Sequence, residues 1–221
     1  MNGVDVYARI RSVIDKGIVL PACVYVGTHI EKPGVVSQKG GACKILLGAD
    51  PRHIEFSPNG LLKLLDQANI LHEWRPDIQT CIWEKFIFIS SFGLVTASHN
   101  KTIGDVLEDG DMRGKVLDII KEATSIARGM GVEMPKDTTE AVFQKGRSFP
   151  YETKTSFQRD FENIEKADER DLFAGAILKY ASELGINVPT TAETLRRLEA
   201  IKPSSKKAGV ATPFSSTPLE H

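Results

Sequence analysis

Residues 77–99 read DIQTCIWEKFIFISSFGLVTASH, and this stretch decides the fold. Its apolar residues leave almost no polar face on a helix, which is typical of a helix buried in a core or in a membrane. Glu84 and Lys85 lie inside the stretch, and a helix facing lipid would tolerate these charges badly. The stretch therefore predicts a buried central helix of a soluble protein, with other helices packed around it.

The sequence on the two sides of this helix has different patterns. Residues 17–50 are rich in Val, Ile and Thr and are broken by Pro-Gly and Gly-Gly, which predicts a hairpin and a third strand. A short helix is predicted over residues 4–15, and helical periodicity dominates from Ser57 to Lys202. The predicted fold class is mainly α with an α/β part at the N-terminus.

Some helix ends are marked by their residues. Thr155 with Gln158 and Thr190 with Glu193 have the spacing of a capping box, which predicts two helix starts. The glycines of residues 129–131 are expected to end a helix in a left-handed turn rather than to open a phosphate-binding loop.

Composition limits the classes of function. The 221 residues are 41% hydrophobic and 26% charged, with a net charge of −1, which favours a globular protein and disfavours binding to nucleic acid. Cys23, Cys43 and Cys81 are isolated, and no charged leader opens the chain, so we expect a cytoplasmic protein without disulfides. The five histidines are scattered, and no metal site is expected.

Lys85 is the first candidate for chemistry, because a buried ammonium needs a partner. One interpretation is that Glu84 and Lys85 mark a solvated stripe of the helix. The other is that Lys85 faces a cleft, where burial lowers its pKa and suits it to proton transfer.

Two further candidates also have a structural alternative. Asp168, Glu169 and Asp171 open a predicted helix, where carboxylates favour the positive end of the helix dipole. Ser156 follows a predicted N-cap, where its hydroxyl could bind an anion or merely complete the helix end.

Three segments together resemble the ketopantoate reductase family, which reduces 2-dehydropantoate to pantoate with NADPH on the route to pantothenate and coenzyme A. Residues 83–97, WEKFIFISSFGLVTA, are similar to the family's lysine helix, and residues 155–171, TSFQRDFENIEKADERD, to its serine and acidic segment. Asn2-Gly3 resembles the family's Asn-Gly turn near the nicotinamide.

This resemblance implies roles for particular residues. It implies that Lys85 and Glu169 are catalytic and that Ser156 binds substrate. Asn2 would contact both substrate and cofactor. One residue is inserted before the acidic run, so Asp168 remains an alternative to Glu169.

The resemblance also implies a domain organisation. Residues 1–55 would be the closing strands of an NADP-binding Rossmann domain, and residues 56–202 an all-helical domain like that of 6-phosphogluconate dehydrogenase. Residues 203–221 would be a flexible tail with the stub of a tag. No glycine-rich loop lies between a strand and a helix, so we expect a fragment of a longer reductase that binds NADPH weakly or not at all.

The sequence departs from the family at three positions of the substrate site. Ile89, Gly93 and Ile103 stand where well-known members carry asparagines. This departure leaves open a reductase of another 2-oxo acid, and a non-catalytic helical dimerisation module is a third possibility. A homodimer is expected from the sheet edge that an incomplete Rossmann domain would expose.

Overall fold

The computed structural model describes residues 2–38, 42–163 and 167–203. Their N-terminal part is a small α/β unit, and their C-terminal part is helical. The α/β unit comprises α1 (Val6–Arg11), β1 (Ala22–Tyr25), β2 (Thr28–Lys32), β3 (Val35–Gln38), β4 (Lys44–Leu47), α2 (Asn59–Gln67) and β5 (Leu71–Trp74).

The helical part contains seven described helices and one π-helical turn. They are α3 (Ile78–His99), α4 (Ile103–Glu108), α5 (Gly110–Gly129), α6 (Thr138–Arg147), α7 (Ser156–Glu162), the π-helical turn Asp171–Gly175, α8 (Ala176–Leu184) and α9 (Pro189–Ile201). A small α/β unit followed by a helical body confirms the predicted fold class.

The described strands form one sheet and one hairpin. The sheet has the order β1-β4-β5, with β1 antiparallel to β4 and β4 parallel to β5. The hairpin joins β2 and β3 through a turn at Gly34, whose φ of 80° favours glycine. The predicted hairpin is therefore confirmed.

Strand β5 lies beyond the predicted domain boundary at residue 55. Helix α2 and β5 complete a parallel β4-α2-β5 unit, so the sheet extends to Trp74, and the helices that surround α3 begin only at Ile78. Strand β5 was not predicted, because its four residues, LHEW, are half polar and lack a clear alternation of buried and exposed positions. Pairing with β4 determines their conformation.

The predicted central helix is confirmed as α3. Trp83, Phe86 and Phe92 are at most 2% exposed and belong to the main hydrophobic core, which α5, α6, α7 and α9 share. Although α3 is long and apolar enough to cross a membrane, 72% of its most apolar window is buried inside the protein. We therefore describe it as the core helix of the fold.

The two predicted capping boxes have different outcomes. The Thr155 hydroxyl accepts from the Gln158 N–H at 3.1 Å, which confirms that helix start, although the Gln158 side chain bonds Glu162 instead. The box at Thr190 is wrong, because α9 begins at Pro189, which fixes φ for the first helical position. The carboxylate of Glu122 in α5 accepts from the free N–H groups of Thr190 and Thr191 at 2.8 and 2.9 Å.

Two further predictions concern the turn after α5 and the C-terminal tail. Helix α5 ends at Gly129 and Gly131 has a φ of 80°, which confirms the helix-terminating turn at residues 129–131. The predicted tail, apart from residue 203, lies outside the described residues.

Candidate functional site

A narrow cleft, open to solvent, lies between the N-terminal turn, β1 and α3. Since α3 is fixed by core packing on its other sides, the cleft has one rigid wall. The residues that line it are Asn2, Gly3, Ala22, Cys23, Ile82, Lys85, Phe86 and Ile89.

Lys85 lies in this cleft and not on a solvated stripe. Its ammonium donates to the backbone carbonyl of Val24 in β1 at 2.7 Å and lies 5.7 Å from the centre of the Tyr25 ring. Burial lowers the pKa of Lys85, and the nearby Cys23 and Glu169 oppose part of that shift. An ammonium has three N–H groups, so two remain for a ligand after the bond to Val24.

The structure brings Asn2 and Glu169 together from opposite ends of the chain. The Asn2 side-chain Nδ2 donates to Glu169 Oε2 at 3.2 Å. Glu169 lies two residues before the π-helical turn, and its carbonyl accepts from the N–H groups of Leu172 and Phe173, both at 3.0 Å. Such π turns are frequent at functional sites, and here the turn holds Glu169 next to the residue that borders the cleft.

Asp168 has a different environment from Glu169. Its side chain is 4% exposed and bonds Arg170 through two contacts, Nε at 2.8 Å and Nη2 at 2.7 Å. Lys202 lies 3.4 Å away, and Arg170 also donates to the Lys202 carbonyl. Asp168 therefore ties the end of α9 to the start of the π turn, and its carboxylate is committed to that pairing.

Ser156 is exposed and is not among the residues that line the cleft. The next residue, Phe157, packs on Gly93, which lies two helical turns of α3 beyond Lys85. The structure thus places Asn2, Lys85 and Glu169 in one cluster and Ser156 apart from it, further along the same helix.

The three positions that depart from the family pattern also differ in surroundings. Ile89 lines the cleft one turn after Lys85. Gly93 lies against Phe157, whose Cβ would be 3.3 Å from a side chain added there. Ile103 is 1% exposed in the core and does not face the cleft.

Sequence reasoning missed three residues around Lys85. Cys23 lines the cleft, and burial raises the pKa of its thiol while Lys85 lowers it. The Tyr25 ring has Lys145 of α6 5.0 Å from its centre, in addition to Lys85. The alternation of exposed and buried residues in ACVY could have pointed to Cys23, but nothing local in the sequence links β1 to α6.

The described residues contain no group of three His, Cys, Asp or Glu side chains that could hold a metal ion. A second, more open hollow of about 660 Å³ lies at the turn between α2 and β5. Asp66, Asn69 and His72 line this hollow and none of the candidate residues does, so the cleft at Lys85 is the one that contains candidate residues.

Comparisons with known proteins agree on one family. The family model described as ketopantoate reductase PanE/ApbA C terminal matches residues 77–202. The chain is similar to a 2-dehydropantoate 2-reductase of Pyrobaculum aerophilum, with 23% identity over 199 residues that make up 90% of this chain and 67% of that protein.

Two solved structures have the same fold. One is a PanE/ApbA family ketopantoate reductase of Ralstonia eutropha, with a TM-score of 0.80, 24% identity and coverage of 90% of this chain and 64% of that chain. The other is a D-mandelate dehydrogenase in complex with NADH, with a TM-score of 0.80, 17% identity and coverage of 90% and 67%. The chain thus spans about two thirds of the length of these relatives. Since the match at residues 77–202 takes in more than half of the 221 residues, the chain belongs to the ketopantoate reductase family and contains the family's C-terminal domain.

Proposed function

We propose that this chain is the substrate-binding part of an NADPH-dependent reductase of a 2-oxo acid, with 2-dehydropantoate as the first candidate substrate. The observation that carries the proposal is that Lys85 and Asn2 line one cleft and that Asn2 is hydrogen-bonded to Glu169. The relatives named 2-dehydropantoate 2-reductase support the choice of reaction.

The chemistry follows from the development of charge. When a ketone is reduced to an alcohol, negative charge grows on the carbonyl oxygen and a proton must reach it. Lys85 is the proton donor in this proposal, because an ammonium in a partly dried cleft stabilises that charge more strongly than water does. Its lowered pKa brings it nearer to neutrality, which favours proton transfer.

The other residues orient the substrate. Glu169 accepts a hydrogen bond from Asn2 in the free protein and would accept one from a substrate hydroxyl in the complex. Ser156 would bind the carboxylate end with its hydroxyl and the free N–H groups at the start of α7. The carboxylate of a 2-oxo acid is bonded to the ketone carbon, so this role requires Ser156 to lie closer to Lys85 in the complex than in the free protein.

The described residues fit only one end of a nicotinamide cofactor, which supplies the hydride when bound. Asn2 and Gly3 border the cleft, and Gly3 has a φ of 133°, a conformation that favours glycine. Asn2 would hold the nicotinamide end through its amide. No described helix begins with a glycine-rich loop that could hold the phosphates, so we expect the chain in hand to bind NADPH weakly or not at all.

The proposal is tested by joining a family dinucleotide-binding domain ahead of Asn2 and measuring NADPH-dependent reduction of 2-dehydropantoate. Lys85→Ala should lower kcat roughly a hundredfold or more while leaving the affinity for NADPH nearly unchanged. Glu193→Gln, a change on the exposed side of α9, is the matched control for folding. A near-normal kcat in Lys85→Ala would remove the proton-donor role.

A second candidate is a reductase of a different 2-oxo acid, and the similarity of fold to D-mandelate dehydrogenase favours considering it. A panel of 2-oxo acids on the same fusion protein separates the two. A third candidate, a non-catalytic dimerisation module, would bind none of these acids and reduce none of them.

A further inference from the structure

Helix α3 places Lys85 in the cleft, and two residues of β1 contact its ammonium there. The Val24 carbonyl accepts one N–H at 2.7 Å, and the centre of the Tyr25 ring lies 5.7 Å from Nζ. In β1, Cys23 is buried, Val24 is exposed and Tyr25 is partly buried, so the side chains of Cys23 and Tyr25 point to the same side of the strand. Cys23 lines the cleft and Tyr25 does not. Tyr25 therefore adjoins the ammonium without lining the space that a ligand would occupy.

The Tyr25 ring is itself held from two directions. It packs against a small cluster of buried residues that β1 and α3 share, namely Cys23, Ile78 and Cys81. From α6, the Lys145 ammonium lies 5.0 Å from the centre of the Tyr25 ring and 5.1 Å from the centre of the Phe88 ring, which belongs to the main core. The ring is therefore fixed between β1 and the helical part, and two ammonium groups face it.

The ring restrains Lys85 in a way that the bond to Val24 alone does not. A lysine has a flexible four-carbon stem, and one hydrogen bond leaves its ammonium free to turn about the acceptor. An aromatic face attracts a cation within about 6 Å, so the ring adds a second restraint. Because the ring carries no formal charge, it opposes the lowering of the Lys85 pKa by burial less than another carboxylate would.

A proton donor must lie within hydrogen-bond distance of the atom that it protonates, so a restrained ammonium reaches the transition state more often than a mobile one. We infer, on the basis of the proposed function, that Tyr25 is a positioning residue for Lys85 and that its ring, rather than its hydroxyl, performs this role. In this role Tyr25 acts through Lys85 and not on the substrate. Loss of the ring should therefore lower kcat and leave the KM of the 2-oxo acid and the affinity for NADPH nearly unchanged.

The contact is tested on the 221-residue chain by NMR of isotope-labelled lysine. Protons near the face of an aromatic ring are shifted upfield, so the ε-protons of Lys85 and Lys145 should resonate upfield of those of exposed lysines. Tyr25→Leu should remove both shifts, and Tyr25→Phe should keep them. Phe56→Leu is the matched control, because Phe56 is 43% exposed and lines neither the cleft nor the hollow between α2 and β5.

The role in turnover is tested on the fusion protein. In Tyr25→Leu, kcat should fall roughly tenfold, the loss expected when a cation–π contact no longer holds the proton donor. Tyr25→Phe and Phe56→Leu should keep kcat close to that of the unmodified fusion protein. A normal kcat in Tyr25→Leu overturns the inference, and so does an equal fall in Tyr25→Phe and Tyr25→Leu.

Failure of this inference is distinguishable from failure of the proposed function. Unshifted ε-protons of Lys85 in the unmodified chain overturn the inference and leave the proposed function intact. A fusion protein that reduces no 2-oxo acid overturns the proposed function and the inference with it. The spectrum of the unmodified chain and the kcat of Tyr25→Phe decide the inference even where Tyr25→Leu does not fold.

Discussion

The surroundings of Lys85 are determined by residues that are distant from it in the sequence. Its position in an apolar helix suggested a partner, and the partner is a backbone carbonyl of β1, sixty-one residues earlier in the chain. The distance along the chain explains why the sequence could name the residue and not its surroundings. The local pattern allowed both a solvated stripe and a cleft, and only the packing of β1 against α3 separates them.

The titration of Lys85 gives a first prediction. Burial lowers its pKa and Glu169 raises it, so we expect a midpoint below the ordinary lysine value of about 10.4. Glu169→Gln removes the opposing charge and should lower the midpoint further, and the alkaline loss of activity in the fusion protein should move to lower pH with it. NMR of methylated lysines measures the midpoint of Lys85 in the unmodified chain and in Glu169→Gln, with Glu193→Gln as the control. A midpoint that rises in Glu169→Gln would contradict the electrostatic account.

Asp168 and Glu169 are adjacent, and we predict that changing them lowers the stability of the protein by unequal amounts. Asp168→Asn leaves Arg170, which is 5% exposed, without its charge partner, and should lower the free energy of unfolding by about 3 kcal/mol or more. Glu169→Gln keeps an amide oxygen that can accept from Asn2, so it only weakens this hydrogen bond and should cost about 1 kcal/mol or less. Urea denaturation of both variants, with the exposed Asp171→Asn as control, checks the order. Equal losses would mean that the pairing of Asp168 with Arg170 contributes little.

At the scale of elements, periodicity and helix-termination signals were sufficient to predict most helices. They were insufficient to predict the contacts between helices. The central helix and the turn at residues 129–131 follow from patterns within one segment. The start of α9 did not follow, because its free N–H groups are satisfied by Glu122 of α5, far away in sequence. Strand β5 was missed for the same reason, since β4 determines its conformation.

Close packing between α3 and α6 gives the third prediction. A Cβ added at Gly146 would lie 2.1 Å from Cζ of Phe92, and that ring is completely buried. Gly146→Ala should therefore destabilise the protein by about 1 to 3 kcal/mol through overpacking.

Gly114→Ala in α5 is the matched helical control, because nothing lies within 4 Å of its added Cβ. Alanine loses less backbone entropy than glycine in a helix, so this variant should be neutral or more stable by about 0.5 to 1 kcal/mol. Thermal unfolding compares the two, and a Gly146→Ala protein as stable as the Gly114→Ala protein would show that α6 can shift to accommodate the methyl group.

At the scale of the whole molecule, exposed large apolar side chains are concentrated in the α/β unit. Described examples that are at least 60% exposed all fall before residue 77, and they are Val13, Ile30, Val36, Ile54, Leu64 and Leu71. The helical part buries its apolar residues in one core around α3. Among the described residues, large apolar side chains are therefore left exposed mainly in the α/β unit. This unit is the part that we expect to associate with another chain.

The edge of β5 gives the last prediction. Strand β5 pairs with β4 on one side, and no other described strand pairs with its second side, whereas the outer strand β1 has its Val24 carbonyl bonded by Lys85. An exposed strand edge favours pairing with another chain, and a lysine on such an edge disfavours it. We therefore expect the 221-residue chain to form a dimer that Leu71→Lys weakens, while Ile201→Lys on α9 does not. Light scattering over a range of concentrations measures the mass of each variant. A monomer at every concentration would rule out the β5 edge as the contact, and so would a dimer that Leu71→Lys leaves unchanged.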